Sequence, residues 1–185
     1  MSLFLRIIRR NRWAQEFWDL HDYDWLDKND IPIEPLFDIL AVDKNGNLQK
    51  EISVWYIHDD KSNLERIIAA LAASRSNIDV FDYLLIEEGI ITSFGFKLKK
   101  IKGETADKHA NENWHYNINH LSGFKLVNLI KEILTYRKKI IDFNKFEDDN
   151  IDRKTAKEIK KLINKARCSN WINPSEIKVS KSQLD

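Results

Sequence analysis

Residues 36–57, LFDILAVDKNGNLQKEISVWYI, followed at 61–74 by KSNLERIIAALAAS, carry the pattern that decides the fold. Asn45 and Gly46 tolerate the positive φ of a two-residue hairpin turn, so residues 36–42 and 48–57 read as paired antiparallel strands. In that register Ile39 faces Ile52 and Phe37 faces Val54, with Ala41 and Tyr56 on the same apolar side. Ser62 and Glu65 have capping-box spacing. Behind them Leu64, Ile67, Ile68, Leu71 and Ala72 recur on one helical face, and the alanines allow close approach to a sheet.

Outward from this strand–strand–helix unit the signals continue. Upstream, Trp13, Phe17 and Leu20 suit a short helix, and Pro32 and Pro35 make residues 21–35 an ordered loop. Downstream, residues 81–86 predict a strand and Glu87-Glu88-Gly89 a turn or bulge. Phe94, Phe96 and Leu98 alternate with Gly95, Lys97 and Lys99, as in a strand with an aromatic inner face and a basic outer one. A polar helix is expected over 105–119 and an apolar one over 124–137, capped by Ser122. Residues 152–167 predict a basic amphipathic helix with Ile159, Leu162, Ile163 and Ala166 inward. The expectation is an α+β fold, a small mostly antiparallel sheet built from hairpins and packed against several helices. Residues 1–170 form one domain and 171–185 a polar, mobile tail.

Composition narrows the class. A chain of 185 residues buries enough surface to fold without staples, and its single cysteine, Cys168, points to a reducing compartment. Residues 3–8 are apolar but Arg6 interrupts them and arginines follow, the reverse of a secretory signal. No stretch reaches the roughly 20 apolar residues of a membrane span. The expected location is the cytoplasm, with no membrane partner. Net charge is only +1, yet residues 13–60 hold twelve acids against three lysines, while residues 1–12 and 94–140 are basic. Such asymmetry suits a charged partner or two solvated faces of opposite sign.

No catalytic constellation is complete in the sequence. His109, His115 and His120 are spaced by six and five, which does not align three imidazoles on a helix, and no HExxH or cysteine pair joins them. No metal or cofactor is expected. Asp38 and Glu51 on facing hairpin strands, with Asp43 near the turn, suit a metal-dependent nuclease. Ser53, however, stands where a restriction-like site places lysine. There is no GxSxG elbow. With five glycines in the chain no Walker A or GxGxxG loop can be assembled. What remains is basic: Arg9, Arg10 and Arg12, then Lys97 and Lys99 with Lys100 and Lys102, then Lys154, Lys157, Lys160 and Lys161 with Lys165 and Arg167. These are the candidate RNA- or partner-binding residues, through phosphate contacts beside aromatic rings.

The stretch SVWYIHDDKSNLERIIAALAASRSNIDVFDYLLIEE, residues 53–88, and NWHYNINHLSGFKLVNLIKEIL, residues 113–134, resemble small accessory proteins of the Csx group encoded with type III-D CRISPR effector modules. The resemblance covers under half the chain and brings no catalytic signature. It implies a noncatalytic assembly subunit of an RNA-guided ribonucleoprotein that serves antiviral defence. Such a subunit packs against other CRISPR effector subunits and touches crRNA or target RNA. The six tryptophans accord with interface use. The alternatives are the nuclease and a stand-alone immunity-type factor that blocks a toxin through its acidic surface.

Overall fold

A computed structural model describes residues 2–8, 51–119 and 152–184. Six strands form one antiparallel sheet: β1 (Leu3–Ile8), β2 (Ile52–Ile57), β3 (Phe81–Glu87), β4 (Lys97–Lys100), β5 (His115–Asn119) and β6 (Asp152–Lys154). Their spatial order is β4-β5-β2-β1-β3-β6. Helices α1 (Leu64–Ala73), α2 (Glu88–Ser93), α3 (Lys108–Asn113), α4 (Ala156–Cys168) and α5 (Lys181–Leu184) join them. The α+β class and the antiparallel sheet stand as expected.

Strand β2 sits centrally because its sequence is apolar on both faces. Trp55 pairs with Leu5 on one side and His115 on the other, while Val54 pairs with Tyr116 and Ile52 with Ile118. By the two-residue alternation of a strand, Trp55 and Ile57 lie on the face with Leu5 and Tyr83. They join Ile67, Ile68, Ala69 and Ala70 of α1 and Ile159, Ile163 and Ala166 of α4 in a single core. Ile52, Val54, Leu84, Ile86 and Ile118 are buried on the opposite face, where Phe4 meets Tyr56 and Tyr116 edge-on. A sheet buried on both faces needs such near-continuous apolar strands. Ile52, Val54 and Tyr56 do share a side, but along the ladder Ile52 and Val54 take partners from β5. Residues 36–50, with the Asn45-Gly46 turn, lie outside the described residues, as do the 13–20 helix, the 21–35 loop and the 124–137 helix.

Several boundaries differ from expectation, each for a local reason. Ser62 does not cap α1; the N-cap is Asn63, whose side chain instead accepts from His58 N and donates to Tyr56 O, tying the helix start to the end of β2. The expected turn at Gly89 is the first turn of α2, which ends at Ser93 with Phe94 as its C-cap and Gly95 just beyond at φ 73°. The chain then restarts as β4 only at Lys97, so Phe94 and Phe96 are not strand residues, although Phe96 is buried. Residues 105–119 are not one helix: α3 ends at Asn113 and β5 begins at His115. The basic helix begins at Ala156 behind a genuine capping box, Thr155 with Glu158, because residues 152–154 pair with β3. A bidentate bond from Arg153 to Asp82, at 2.7 and 2.9 Å, clamps this edge. The bond to Asp82 also raises the Arg153 pKa, keeping the guanidinium charged.

Two stretches to which the sequence assigned no packed element belong to the fold. Residues 3–8, weighed as a targeting signal, are the strand between β2 and β3. The tail is anchored: Lys178 N donates to Ala73 O, and Ile172, Val179 and Leu184 are buried in the main core.

Two glycines give opposite expectations. A Cβ on Gly103 would stand 2.6 Å from Trp55 Cη2 and 3.0 Å from His115 Cγ, whereas one on Gly89 meets nothing within 4 Å. Gly103→Ala is expected to destabilise by about 1–3 kcal/mol through overpacking. Gly89→Ala, inside α2, should stabilise by about 0.5–1 kcal/mol. Urea denaturation of both variants against the parent checks the signs.

Candidate nucleic-acid interface

The predicted cationic residues separate into distinct surfaces. Lys97 and Lys99, both exposed, stand on β4 at one edge of the sheet. Pairing with Asn119 and Asn117 puts their side chains on the face that carries Ser53 and Trp55, while Leu98 turns to the other core. Lys154 lies on β6 at the far edge, five strand spacings or about 24 Å away, and forms an i,i+4 ion pair with Glu158 at 3.5 Å. On α4, Lys157 and Lys161 are exposed and Lys160 half-buried, opposite the inward Ile159, Ile163 and Ala166. The two lysine groups therefore form two surfaces rather than one. Arg9, Arg10 and Arg12 lie outside the described residues.

Between β4 and β2 the same face is polar. Ser53 Oγ and His115 Nε2 are 2.6 Å apart, and Asn117 Nδ2 donates to Glu51 Oε2 at 2.5 Å. His115 is buried, with its ring 4.6 Å from that of Trp55 and Gly103 close to both rings. Burial pushes its pKa below the ordinary imidazole value, and the backbone at Ile101 and Lys102 and the charge of Glu104 pull the other way. Glu51, the acid weighed for metal, is thus bonded to an amide; its suggested partner Asp38 lies outside the described residues. His109 is on α3 and His115 on β5, and among the described residues no three His, Cys, Asp or Glu side chains group for a metal ion. No helix of the described residues is long and apolar enough to cross a membrane.

A constellation that sequence reading missed lies where α1, α3 and the end of α4 meet. Asp107 is 1% exposed and accepts from Ala110 N as the N-cap of α3. Its carboxylate also receives a fork from Arg66 of α1, Nε to Oδ2 at 2.5 Å and Nη2 to Oδ1 at 3.1 Å. The Arg66 guanidinium carbon is 5.3 Å from the Trp114 ring centre and 5.7 Å from that of Trp171. Trp171 reaches this position through the end of α4. Asn170 takes φ 55°, its N–H bonds Arg167 O, and Trp171 N bonds Ala166 O. That is the Schellman ending, with asparagine supplying the left-handed residue. A hollow of about 500 Å³ opens beside the stack, bordered by Lys108, His109 and Pro174. An adjoining one of about 460 Å³ carries Lys102 and Lys178. Neither is lined by Ser53 or His115. An arginine inside an apolar helix and an Asn-Trp pair after a basic one were the available signals.

Two measurements probe these pairs. Asp107→Asn leaves Arg66 facing a neutral group, and a loss of about 3 kcal/mol is expected from breaking a largely buried pair, read by urea denaturation. For His115 the unfolded chain takes its proton near the ordinary value of about 6.5, the folded protein only at lower pH. Its contribution is complete above that value and falls as pH drops through it toward the depressed folded pKa. His115→Gln should flatten the dependence of unfolding free energy on pH between about 7 and 5; an unchanged slope would contradict the assignment.

No family model, curated protein or solved structure matches the chain.

Proposed function

We propose that the protein is an accessory, noncatalytic subunit of a type III CRISPR ribonucleoprotein in the cytoplasm. In this role it docks on other effector subunits and contacts crRNA or target RNA. The observation that carries the reading is the separation of two exposed lysine surfaces, Lys97 and Lys99 on the β4 edge and Lys157 and Lys161 on α4. A block with cationic side chains on separate elements suits a piece that spans neighbours, since each element engages a different acidic or phosphate-rich partner. Lysine on an edge strand also blocks self-pairing of the sheet, which keeps such a block single until its partners arrive. The resemblance over residues 53–88 and 113–134 points the same way, and the twelve acids against three lysines in the sequence 13–60 are complementary in charge to a basic subunit.

The test is a native pull-down of the tagged protein from its host, with copurifying proteins and nucleic acid identified. The expected result is effector subunits with short uniform RNA. The triple change Lys157→Glu, Lys160→Glu and Lys161→Glu should weaken RNA retention or assembly at least about tenfold, as loss of several phosphate or acid contacts predicts. Recovery of the protein alone, or retention unaffected by the triple change, overturns the reading. Magnesium-dependent RNA cleavage lost with Asp38→Ala or Glu51→Ala would move it to the nuclease class, and one tightly bound protein without RNA to the immunity-factor class.

A further inference from the structure

We propose that the groove beside Arg66 and Trp171 binds a nucleoside phosphate, with the phosphate on Arg66 Nη1 and Lys108 and the base against Trp171. This goes beyond the assembly reading and does not depend on it. Arg66 spends Nε and Nη2 on Asp107, and its Nη1 has no hydrogen-bond partner among the described residues. The guanidinium is therefore already fixed in place, so an anion meeting Nη1 does not bear the cost of ordering a long side chain. Lys108 and His109, both exposed, border the same hollow. His109 Nδ1 lies 3.2 Å from Asn113 Nδ2, which leaves Nε2 available as a further donor. Trp171, half-buried at the groove, has Arg66 and Lys165 over its ring at 5.7 and 5.6 Å. A nucleobase stacks on the indole by displacing the exposed Lys165 side chain, every base having a face to offer.

Size and charge select the ligand. A volume of about 500 Å³ is in the range of small-ligand pockets. The two adjoining hollows are lined by Arg66, Lys102, Lys108 and Lys178 but also by Asp107, Glu104, Glu112 and Glu176. Balanced charge of this kind opposes a triphosphate and accommodates one phosphate placed against the cations. The nucleotide is free in solution or belongs to a single RNA strand, and the chemistry recognised is the same.

The full chain is titrated with AMP, UMP and a five-residue oligouridylate, followed by calorimetry and by tryptophan fluorescence. Lys108→Glu and His109→Ala alter exposed side chains and test the phosphate contacts, His109→Ala also giving up an edge-on ring contact with Trp114. Trp171→Phe tests stacking with the packing largely kept, and Lys157→Glu on the outer face of α4 is the control. Quenched fluorescence and saturable binding are expected, weakened at least about tenfold by Lys108→Glu, as for loss of a charged hydrogen bond, and unchanged in the control. Mononucleotides binding as tightly as the oligomer identify a free nucleotide. Binding of the oligomer alone, still sensitive to Lys108→Glu and Trp171→Phe, identifies a strand. No binding of any of the three, or binding indifferent to Lys108→Glu, overturns the proposal.

Discussion

The carboxylate of Asp107 is buried, and three donors meet it there: the Ala110 N–H and two nitrogens of Arg66. That arrangement ties the first turn of α3 to the first turn of α1. It also presents the flat guanidinium to Trp114 at the end of α3 and to Trp171 beyond α4. Trp114 in turn accepts Tyr56 N from β2 through its backbone oxygen. A buried pair of this kind adds little over a well-packed apolar substitute, but losing one partner strands the other. Its weight in this protein is positional. Three helices and the central strand are referenced to one charged contact, and the groove beside it takes its shape from the same geometry.

Around that contact the sheet divides its labour by position along each strand. Where β2 faces α1 and α4, Trp55 and Ile57 are apolar and buried. Where it faces toward the β4 edge, Ser53 and Glu51 bond His115 and Asn117, and Lys97 and Lys99 complete the polar end. The opposite edge is closed differently, by the Asp82–Arg153 fork and the capping box that starts α4. A protein built this way keeps its core continuous while leaving cationic side chains at both ends. The groove at Trp171 is distinct from both lysine surfaces, because it draws on helix ends rather than on strand edges or the outer face of α4.

Much of the local structure was legible. Strand β3, helix α1 and the inward set Ile159, Ile163 and Ala166 follow from apolar periodicity, a short-range property that burial then confirms. Errors cluster where local chemistry allowed two answers. Ser62 and Asn63 are both good caps, and the choice of Asn63 reflects its bonds to His58 and Tyr56 rather than spacing. KHANENWHYNIN supports a helix by composition, but His115 to Asn119 are claimed by pairing with β2 and β4. Leu3 to Ile8 looked like a terminal apolar run because nothing nearby in sequence shows that β2 and β3 will flank it.

By itself the sequence determined the elements whose signals are local. These are the central apolar strand, the alanine-faced helix and the lysine-bearing helix, together with the α+β class and the identity of the cationic residues. Only the tertiary structure decided which side chains meet. It set Lys97 and Lys99 at the opposite sheet edge from Lys154, bonded Glu51 to Asn117, and brought Arg66, Asp107 and Trp171 together from three separate elements. The reason is physical: periodicity records which face of an element is buried. The partner across that face depends on strand order and helix packing, which are satisfied only when the whole core closes.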